Sequence, residues 1–258
     1  MKKQSTRANQ GGFTLVEMAV VLVVIGLILG AVSIGKDVQR NAEYTKIKQK
    51  FVDQWAVGYN TYVQRVGVVP GDNQTQPRLM VNGATYVATG GLPISGGDMS
   101  AATEPDAVCH GTKRAEMTRA METTLDLRKV MQDAGVRMPP GRAEGSEDRY
   151  VYLDSNGNPQ ELQVCFQWNK PGEPAGAGNV MVIAGLTPDL ARSLDQMIDG
   201  KPDAREGMFR QQGVANGTPG GPGAEWDTTN MAKYGGSKTA NMDEDQVAVV
   251  VANLKMNQ

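Results

Sequence analysis

The chain has 258 residues, of which 26 are lysine or arginine and 28 are aspartate or glutamate, so its formal net charge at pH 7 is −2. It contains no basic patch with interleaved aromatic residues, which argues against a nucleic-acid-binding protein. A chain of this length can bury one sizeable hydrophobic core in addition to a single helix.

The N-terminal end joins a short basic stretch to the most apolar run of the chain. Lys2, Lys3 and Arg7 precede the run, and no charged side chain occurs from Met18 to Gly35, which is about the length that crosses a bilayer. A secretory signal peptide would have a shorter hydrophobic region, roughly 7–15 residues, with its small residues after it. An ordinary signal anchor explains the span and its orientation, but not the carboxylate of Glu17 at the edge of the run.

The hexapeptide "GFTLVE" at residues 12–17 resembles the class III signal of type IV pilins and type II secretion pseudopilins. In that family a prepilin peptidase cuts after the glycine and methylates the new N-terminus. The resemblance implies cleavage between Gly12 and Phe13, removal of residues 1–12 as a leader, and N-methylation of Phe13.

The same resemblance gives Glu17 a role in assembly. In a filament core of packed apolar helices, its carboxylate would pair with the amine of Phe13, either its own or that of a neighbouring subunit, which would otherwise be a buried unpaired charge. The alternative is a carboxylate that merely lies at the membrane interface.

The resemblance also implies a location and a set of partners. The chain would sit in the inner membrane as a single-pass protein with its C-terminal domain in the periplasm, and then enter a pilus or pseudopilus. Its partners would be prepilin peptidase, other pilin or pseudopilin subunits, an inner-membrane assembly platform and, before assembly, membrane lipid. The sequence indicates no nucleic acid partner.

Apolar residues at three- and four-residue spacing extend the helix beyond the membrane run. No proline occurs between Phe13 and Val69. The pattern therefore predicts one helix from Phe13 to about Val66, which ends before the Pro70-Gly71 pair. The ending "YVQRVGVVPGD" also resembles the end of the first pilin helix. We therefore expect residues 13–35 to be the transmembrane or filament-core half, 36–69 the amphipathic half, and 70–258 a periplasmic globular α+β domain.

One feature of many major pilins, a proline within the apolar segment, is missing. Gly26, Gly30 and Gly35 are candidates for weak points in its place, since a glycine inside a helix costs roughly 1 kcal/mol relative to alanine. Close helix–helix approach in the membrane explains the same glycines equally well.

The rest of the chain predicts an α+β, pilin-like fold, with the long helix packed on an antiparallel sheet. The predicted strands are Ala84–Ala88, Tyr150–Leu153, Glu161–Trp168, Asn179–Ala184 and Gln246–Leu254, with a hairpin turn at Asn156-Gly157. Extra helices are predicted from about Arg114 to Ala134, and from Thr187-Pro188 to Gly200. The glycine-rich stretch Gln211–Gly223 is predicted to be a flexible surface loop.

Cys109 and Cys165 are the only cysteines. In an exported domain they are more readily explained as a disulfide than as free thiols, although the disulfide of pilins usually brackets a C-terminal segment and this pair is central. His110 is the only histidine, and a nucleophile made of adjacent Cys109 and His110 is disfavoured because neighbouring residues seldom point at one another.

Two acidic stretches are candidates for calcium sites. Asp154–Asn158, "DSNGN", lacks the rest of a calcium loop, so a hairpin turn is favoured. Asp243, Glu244 and Asp245 are better explained as a solvated charge run beside an edge strand. We expect no metal and no cofactor.

The sequence thus predicts a structural subunit, a minor pilin or pseudopilin, with no catalytic residues and no enzymatic activity. The alternative is a single-span membrane-anchored periplasmic enzyme or sensor. No phosphate-binding loop, dinucleotide fingerprint or nucleophile elbow occurs in the chain.

Overall fold

A computed structural model describes residues 14–86, 99–100, 102–215, 221–227 and 249–256 of the chain. Between Glu43 and Tyr44 the chain divides into two compact units. The first unit contains most of an apolar helix, and the second contains a sheet with helices.

The N-terminal part of the chain is helical from Leu15 to Val66, as predicted. It comprises α1 (Leu15–Ile47), a π-helical turn (Lys48–Val52) and α2 (Asp53–Val66). The π turn was not predicted, and within it Lys48 reaches Asp53, five residues on, at 2.8 Å. Gly67 ends the helix in a left-handed conformation, φ 81°, with its N–H donating to the carbonyl of Val63 at 2.9 Å, which is the usual role of glycine after a helix.

The described part of the second unit contains a seven-stranded sheet with two further helices. The strand order is β2-β1-β4-β5-β7-β6, and β3 pairs with the first part of β4. All pairs are antiparallel except β1 with β2, which is parallel. The elements are β1 (Ala107–Cys109), β2 (Met121–Asp126), α3 (Leu127–Asp133), β3 (Arg149–Leu153), β4 (Pro159–Asn169), β5 (Gly178–Leu186), α4 (Pro188–Asp199), β6 (Phe209–Gln211) and β7 (Val250–Lys255).

Alternation along β4 gives the sheet two different faces. Leu162, Val164, Phe166 and Trp168 lie on the inner face and join the main core. Cys165 lies on the outer face, in a smaller apolar cluster.

The helix packs its aromatic stripe on the inner face, as its periodicity predicts. The rings of Trp55 and Tyr59 lie 6.1 Å and 5.1 Å from that of Phe166, and Phe51 lies 5.3 Å from Tyr150. All three helical side chains are buried. Such burial contributes roughly 2–3 kcal/mol per large side chain, so this stripe holds α2 to the sheet.

Local signals in the second unit were predicted well. The Thr187 hydroxyl accepts the N–H of Leu190 at the start of α4, and Gly200 closes that helix at φ 78°. β3 and β4 form the expected hairpin, with a loop from Asp154 to Asn158 in which Gly157 has φ 87°. Strand β5 contains the predicted strand Asn179–Ala184.

The helix predicted from Arg114 to Ala134 is wrong over most of its length. Residues 114–120 are largely irregular with a turn at 115–116, Met121–Asp126 is a strand, and only Leu127–Asp133 is helical. Met117, at a spacing that suits a helix, instead packs with the disulfide on the outer face of the sheet. Tertiary pairing with β1 has overridden the local pattern.

Two other predicted segments also differ. Ala84 and Thr85 lie in a turn and Tyr86 is irregular, rather than forming a strand, because Asn82 adopts φ 58° and the chain reverses there. Residues 87–88 lie outside the described residues. Gln211 does not begin a surface loop: it ends β6 and is fully buried. In the predicted strand Gln246–Leu254, residues 246–248 lie outside the described residues and β7 begins at Val250.

Candidate functional site: the N-terminal helix

The first part of α1 carries an apolar surface that no described residue covers. The large apolar side chains between Leu15 and Ile34 are exposed, with Leu15 at 90% and Leu27 at 70%. Among the described residues, one helix is long and apolar enough to cross a membrane. Exposure of such an apolar surface to water is unfavourable, so we expect lipid or other apolar helices to cover it.

Thr14 and Glu17 form a reciprocal cap at the start of this helix. The Thr14 N–H and hydroxyl both donate to Oε2 of Glu17, at 2.7 Å and 2.9 Å, and the Glu17 N–H donates to the Thr14 hydroxyl at 3.2 Å. This is the capping box of helix N-termini, in which two unpaired backbone donors are satisfied together. A threonine three residues before a glutamate is its sequence signature, so the cap could have been identified from the sequence.

The capping box leaves part of the Glu17 carboxylate for a further contact. Both bonds from Thr14 fall on Oε2, and no described residue donates to Oε1. Gly12 and Phe13 lie outside the described residues, so cleavage, methylation and the pairing of Glu17 with the Phe13 amine stay predictions.

The three glycines of the apolar run pack against no other segment among the residues that the structure describes. A Cβ added at Gly26, Gly30 or Gly35 would meet no heavy atom within 4 Å, and α1 continues through all three. The need for glycine must therefore come either from contacts with other helices or from a weakened helix, as the sequence left open.

Cys109 and Cys165 lie opposite one another on β1 and β4. The pairing of Val108 with Phe166 brings them into register, and the structure joins their sulfur atoms across a Cα separation of 4.6 Å. This is the short spacing of a directly opposed, non-hydrogen-bonded pair in an antiparallel sheet.

Both ring nitrogens of His110 have a partner within the domain. Its Nδ1 lies 2.6 Å from Oδ1 of Asp126, and its Nε2 lies 2.9 Å from the carbonyl oxygen of Gly145. Partial burial acts to lower the pKa of His110, but these partners and the charge of Asp148 outweigh it and raise the pKa overall. The arrangement ties three segments together, with both ring nitrogens occupied.

The first acidic stretch serves as a turn. Oδ1 of Asp154 accepts the backbone N–H groups of Asn156 and Asn158, at 2.9 Å and 2.8 Å, which supports the hairpin interpretation. Asp243, Glu244 and Asp245 lie outside the described residues. Within the described ranges, no group of three histidine, cysteine or acidic side chains is arranged to hold a metal ion.

Comparison with known families bears on this helix alone. Residues 7–33 match the family described as the prokaryotic N-terminal methylation motif, the signature of type IV pilin-like and pseudopilin-like prepilins. The match includes Gly12, Phe13 and Glu17, so the resemblance found in the sequence is confirmed over these residues. No curated protein matches the chain. No solved structure matches it either.

The chain has an α+β fold in which a long N-terminal helix runs from an uncovered apolar half into a half packed on a largely antiparallel sheet. At the start of that helix it carries the prokaryotic N-terminal methylation motif, which is the signature of type IV pilin-like and pseudopilin-like prepilins.

Proposed function

We propose that the chain is a structural subunit, a minor pilin or pseudopilin, of a type IV pilus or a related type II secretion filament. The observation that carries the proposal is the prepilin signature leading directly into a helix whose apolar surface is exposed. The size of the second unit and its added helices favour a minor subunit over a bulk major pilin.

The proposed sequence of events follows the signature. The precursor enters the inner membrane through residues 13–35, with the globular domain in the periplasm. Prepilin peptidase cuts between Gly12 and Phe13, removes residues 1–12 and methylates Phe13. The helix then leaves lipid for the filament core on the assembly platform, where it contacts other subunits.

Removal of the leader changes the charge of the protein. Three cations, Lys2, Lys3 and Arg7, are lost from a precursor of net charge −2, so the mature chain carries −5. The amine of Phe13 becomes a new positive charge beside an apolar surface. Oε1 of Glu17, to which no described residue donates a hydrogen bond, supports the proposal that this carboxylate receives the amine.

A membrane-anchored enzyme is less well supported. The His110 ring is held by Asp126 and Gly145, and Cys109 is joined to Cys165. Neither side chain is placed as a nucleophile or base facing a substrate.

Assembly is tested by comparing two substitutions at the capping box. Glu17→Val removes both the cap and the proposed partner of the amine, whereas Thr14→Val removes the capping hydroxyl and keeps the carboxylate. Breaking a buried ion pair from one side costs about 3–5 kcal/mol, while losing a cap costs about 1 kcal/mol. The measurement is the ratio of subunit in sheared filaments to subunit in the membrane fraction.

We expect Glu17→Val to be cleaved but largely absent from filaments, and Thr14→Val to be incorporated at close to the normal ratio. Equal expression and cleavage of the variants are the control. An unchanged ratio for Glu17→Val would contradict the assembly role, and an equal loss in both variants would assign Glu17 to capping alone.

A further inference from the structure

The outer face of the sheet contains a polar cleft of about 310 Å³, separate from the N-terminal helix. Its floor includes Gln167 and Asn169 of β4 and Asn253 of β7. Its rim includes Glu104 and Asp106, from the segment that leads into β1. The volume is at the lower end of the range for small-molecule sites, and it exceeds the space that one water or one metal ion occupies.

Asn253 is an unexplained polar residue in this floor. It continues a cross-strand row through Cys165 and Val182, where both other members are apolar and buried. The Asn253 side chain is only 1% exposed. Its amide oxygen is buried and has no hydrogen-bond partner among the described residues, and buried acceptors in folded proteins nearly always have one.

The neighbouring amides of the floor are, by contrast, engaged. Oδ1 of Asn169 accepts from Nε2 of Gln167 at 2.7 Å and from Arg119 at 3.3 Å, and its Nδ2 donates to the carbonyl of Gly176 at 2.9 Å. These bonds hold the floor in place. The Asn253 amide oxygen is therefore the buried acceptor of this floor that the described residues leave unpaired.

The charges around the cleft are unbalanced. Glu104, Asp106 and Glu173 contribute three carboxylates, and Arg119 contributes one cation, which gives a formal charge of −2 for the lining. Arg119 is already paired with Glu104 at 2.6 Å. Lys170 lies beside Glu104 outside the lining, and counting it still leaves −1.

The Glu104 carboxylate is ionised at neutral pH. Burial acts to raise the pKa of Glu104, but the bonds from Arg119 and from the backbone N–H of Lys170 outweigh it and lower the pKa. The Asp106 side chain is exposed and makes no hydrogen bond or ion pair with the part of the chain that the structure describes. Asp106 is thus the carboxylate available to a ligand.

The chemistry of the lining selects a ligand class. The open groups are acceptors, the amide oxygen of Asn253 and the carboxylate of Asp106, in a negative environment. No described lining residue is aromatic, which removes the ring surface on which sugars usually stack. The described carboxylates are not grouped for a metal ion.

We propose that this cleft binds a small organic cation, a primary ammonium or guanidinium group, that donates to Asn253 and pairs with Asp106. The group belongs either to a free amine or to a lysine or arginine side chain of a peptide. The inference does not depend on the proposed role in a filament.

Isothermal titration calorimetry on the full-length protein in non-ionic detergent micelles tests the proposal. The probes are 1,4-diaminobutane and agmatine as free amines, end-blocked Gly-Lys-Gly and Gly-Arg-Gly as peptide side chains, and calcium chloride. The variants are Asp106→Asn and Asn253→Leu. Glu144→Gln, an exposed carboxylate elsewhere in the domain, is the matched control.

We expect at least one organic cation to bind with 1:1 stoichiometry, and the arm that binds identifies the source. Asp106→Asn should weaken binding at least about tenfold, or ~1.4 kcal/mol, and Glu144→Gln should leave it unchanged. Asn253→Leu should weaken binding similarly; if it fails to fold, the exposed Asp106 variant decides. No binding by any organic cation, equal binding by Asp106→Asn and wild type, or binding of calcium alone would overturn the proposal.

Discussion

Asp195 in α4 makes the stability of the globular unit depend on pH near neutrality. Its side chain is fully buried, and its Oδ2 accepts the indole N–H of Trp226 at 2.7 Å. Trp226 in turn stacks on Phe209 with ring centroids 5.2 Å apart. Burial raises the pKa of Asp195 from 3.8 to about 7, with a further contribution from Asp199, against the lowering effect of the Trp226 bond.

The direction of the effect follows from the two pKa values. Between pH 3.8 and about 7 the folded state holds a proton that the unfolded state has lost, so the contribution of Asp195 to stability falls as pH rises through this range. Below pH 3.8 both states are protonated and there is no penalty. Above pH 7 the penalty is complete, and at 1.36 kcal/mol per pKa unit it reaches at most about 4 kcal/mol.

Asp195→Asn removes the charge and keeps an acceptor for Trp226. We expect the variant to match wild type near pH 4 and to be about 2–4 kcal/mol more stable at pH 8, which raises Tm there by roughly 5–10 °C for a unit of this size. The measurement is thermal unfolding of the full chain in detergent, followed by tryptophan fluorescence at pH 4, 6 and 8.

Glu144→Gln, at an exposed site, is the control and should show no pH-dependent difference. A constant difference between Asp195→Asn and wild type across this range would refute the reasoning, because it would mean that Asp195 does not titrate there. Lower stability of the variant at pH 8 would mean that the buried carboxylate is favourably paired.

Two further predictions concern the core and the cysteines. Trp55→Ala should lower the free energy of unfolding by about 3–5 kcal/mol, because it removes the contact with Phe166. Val57→Ala, on the exposed side of the same helix, should lower it by less than about 0.5 kcal/mol. Equal shifts in Tm would contradict the packing of α2. Cys109 and Cys165 of protein matured in the periplasm should resist thiol labelling without reductant, and their bridge should stabilise the domain by about 4 kcal/mol. Quantitative labelling of both cysteines would show that the disulfide is absent.

The parts of the fold that follow from local chemistry could be predicted from the sequence. Thr187-Pro188 begins α4 and Gly200 ends it because the cap and the left-handed conformation depend on those residues themselves. The prepilin signature is also contiguous in sequence, so it identifies the candidate site at Glu17 directly. The capping partner Thr14 lies in the same stretch and could be identified from it as well.

The parts set by distant contacts could not be predicted in this way. Met117, Met121 and Leu125 lie four residues apart, as in a helix, but the chain there turns across the outer face and then pairs with β1, which only the folded sheet provides. The polar cleft depends even more on contacts between distant residues, since Asp106 and Asn253 are separated by most of the globular unit along the chain. Neither residue forms a motif with its sequence neighbours.

The most direct test of the account is the intact mass of the protein purified from a host with an active prepilin peptidase. The account predicts a chain that has lost residues 1–12 and begins at Phe13 with one added methyl group. Gly12→Val should remain a full-length precursor in the inner membrane, because a small residue must precede the cut. An unprocessed wild-type N-terminus, or normal maturation of Gly12→Val, would contradict the assignment to prepilin-type subunits.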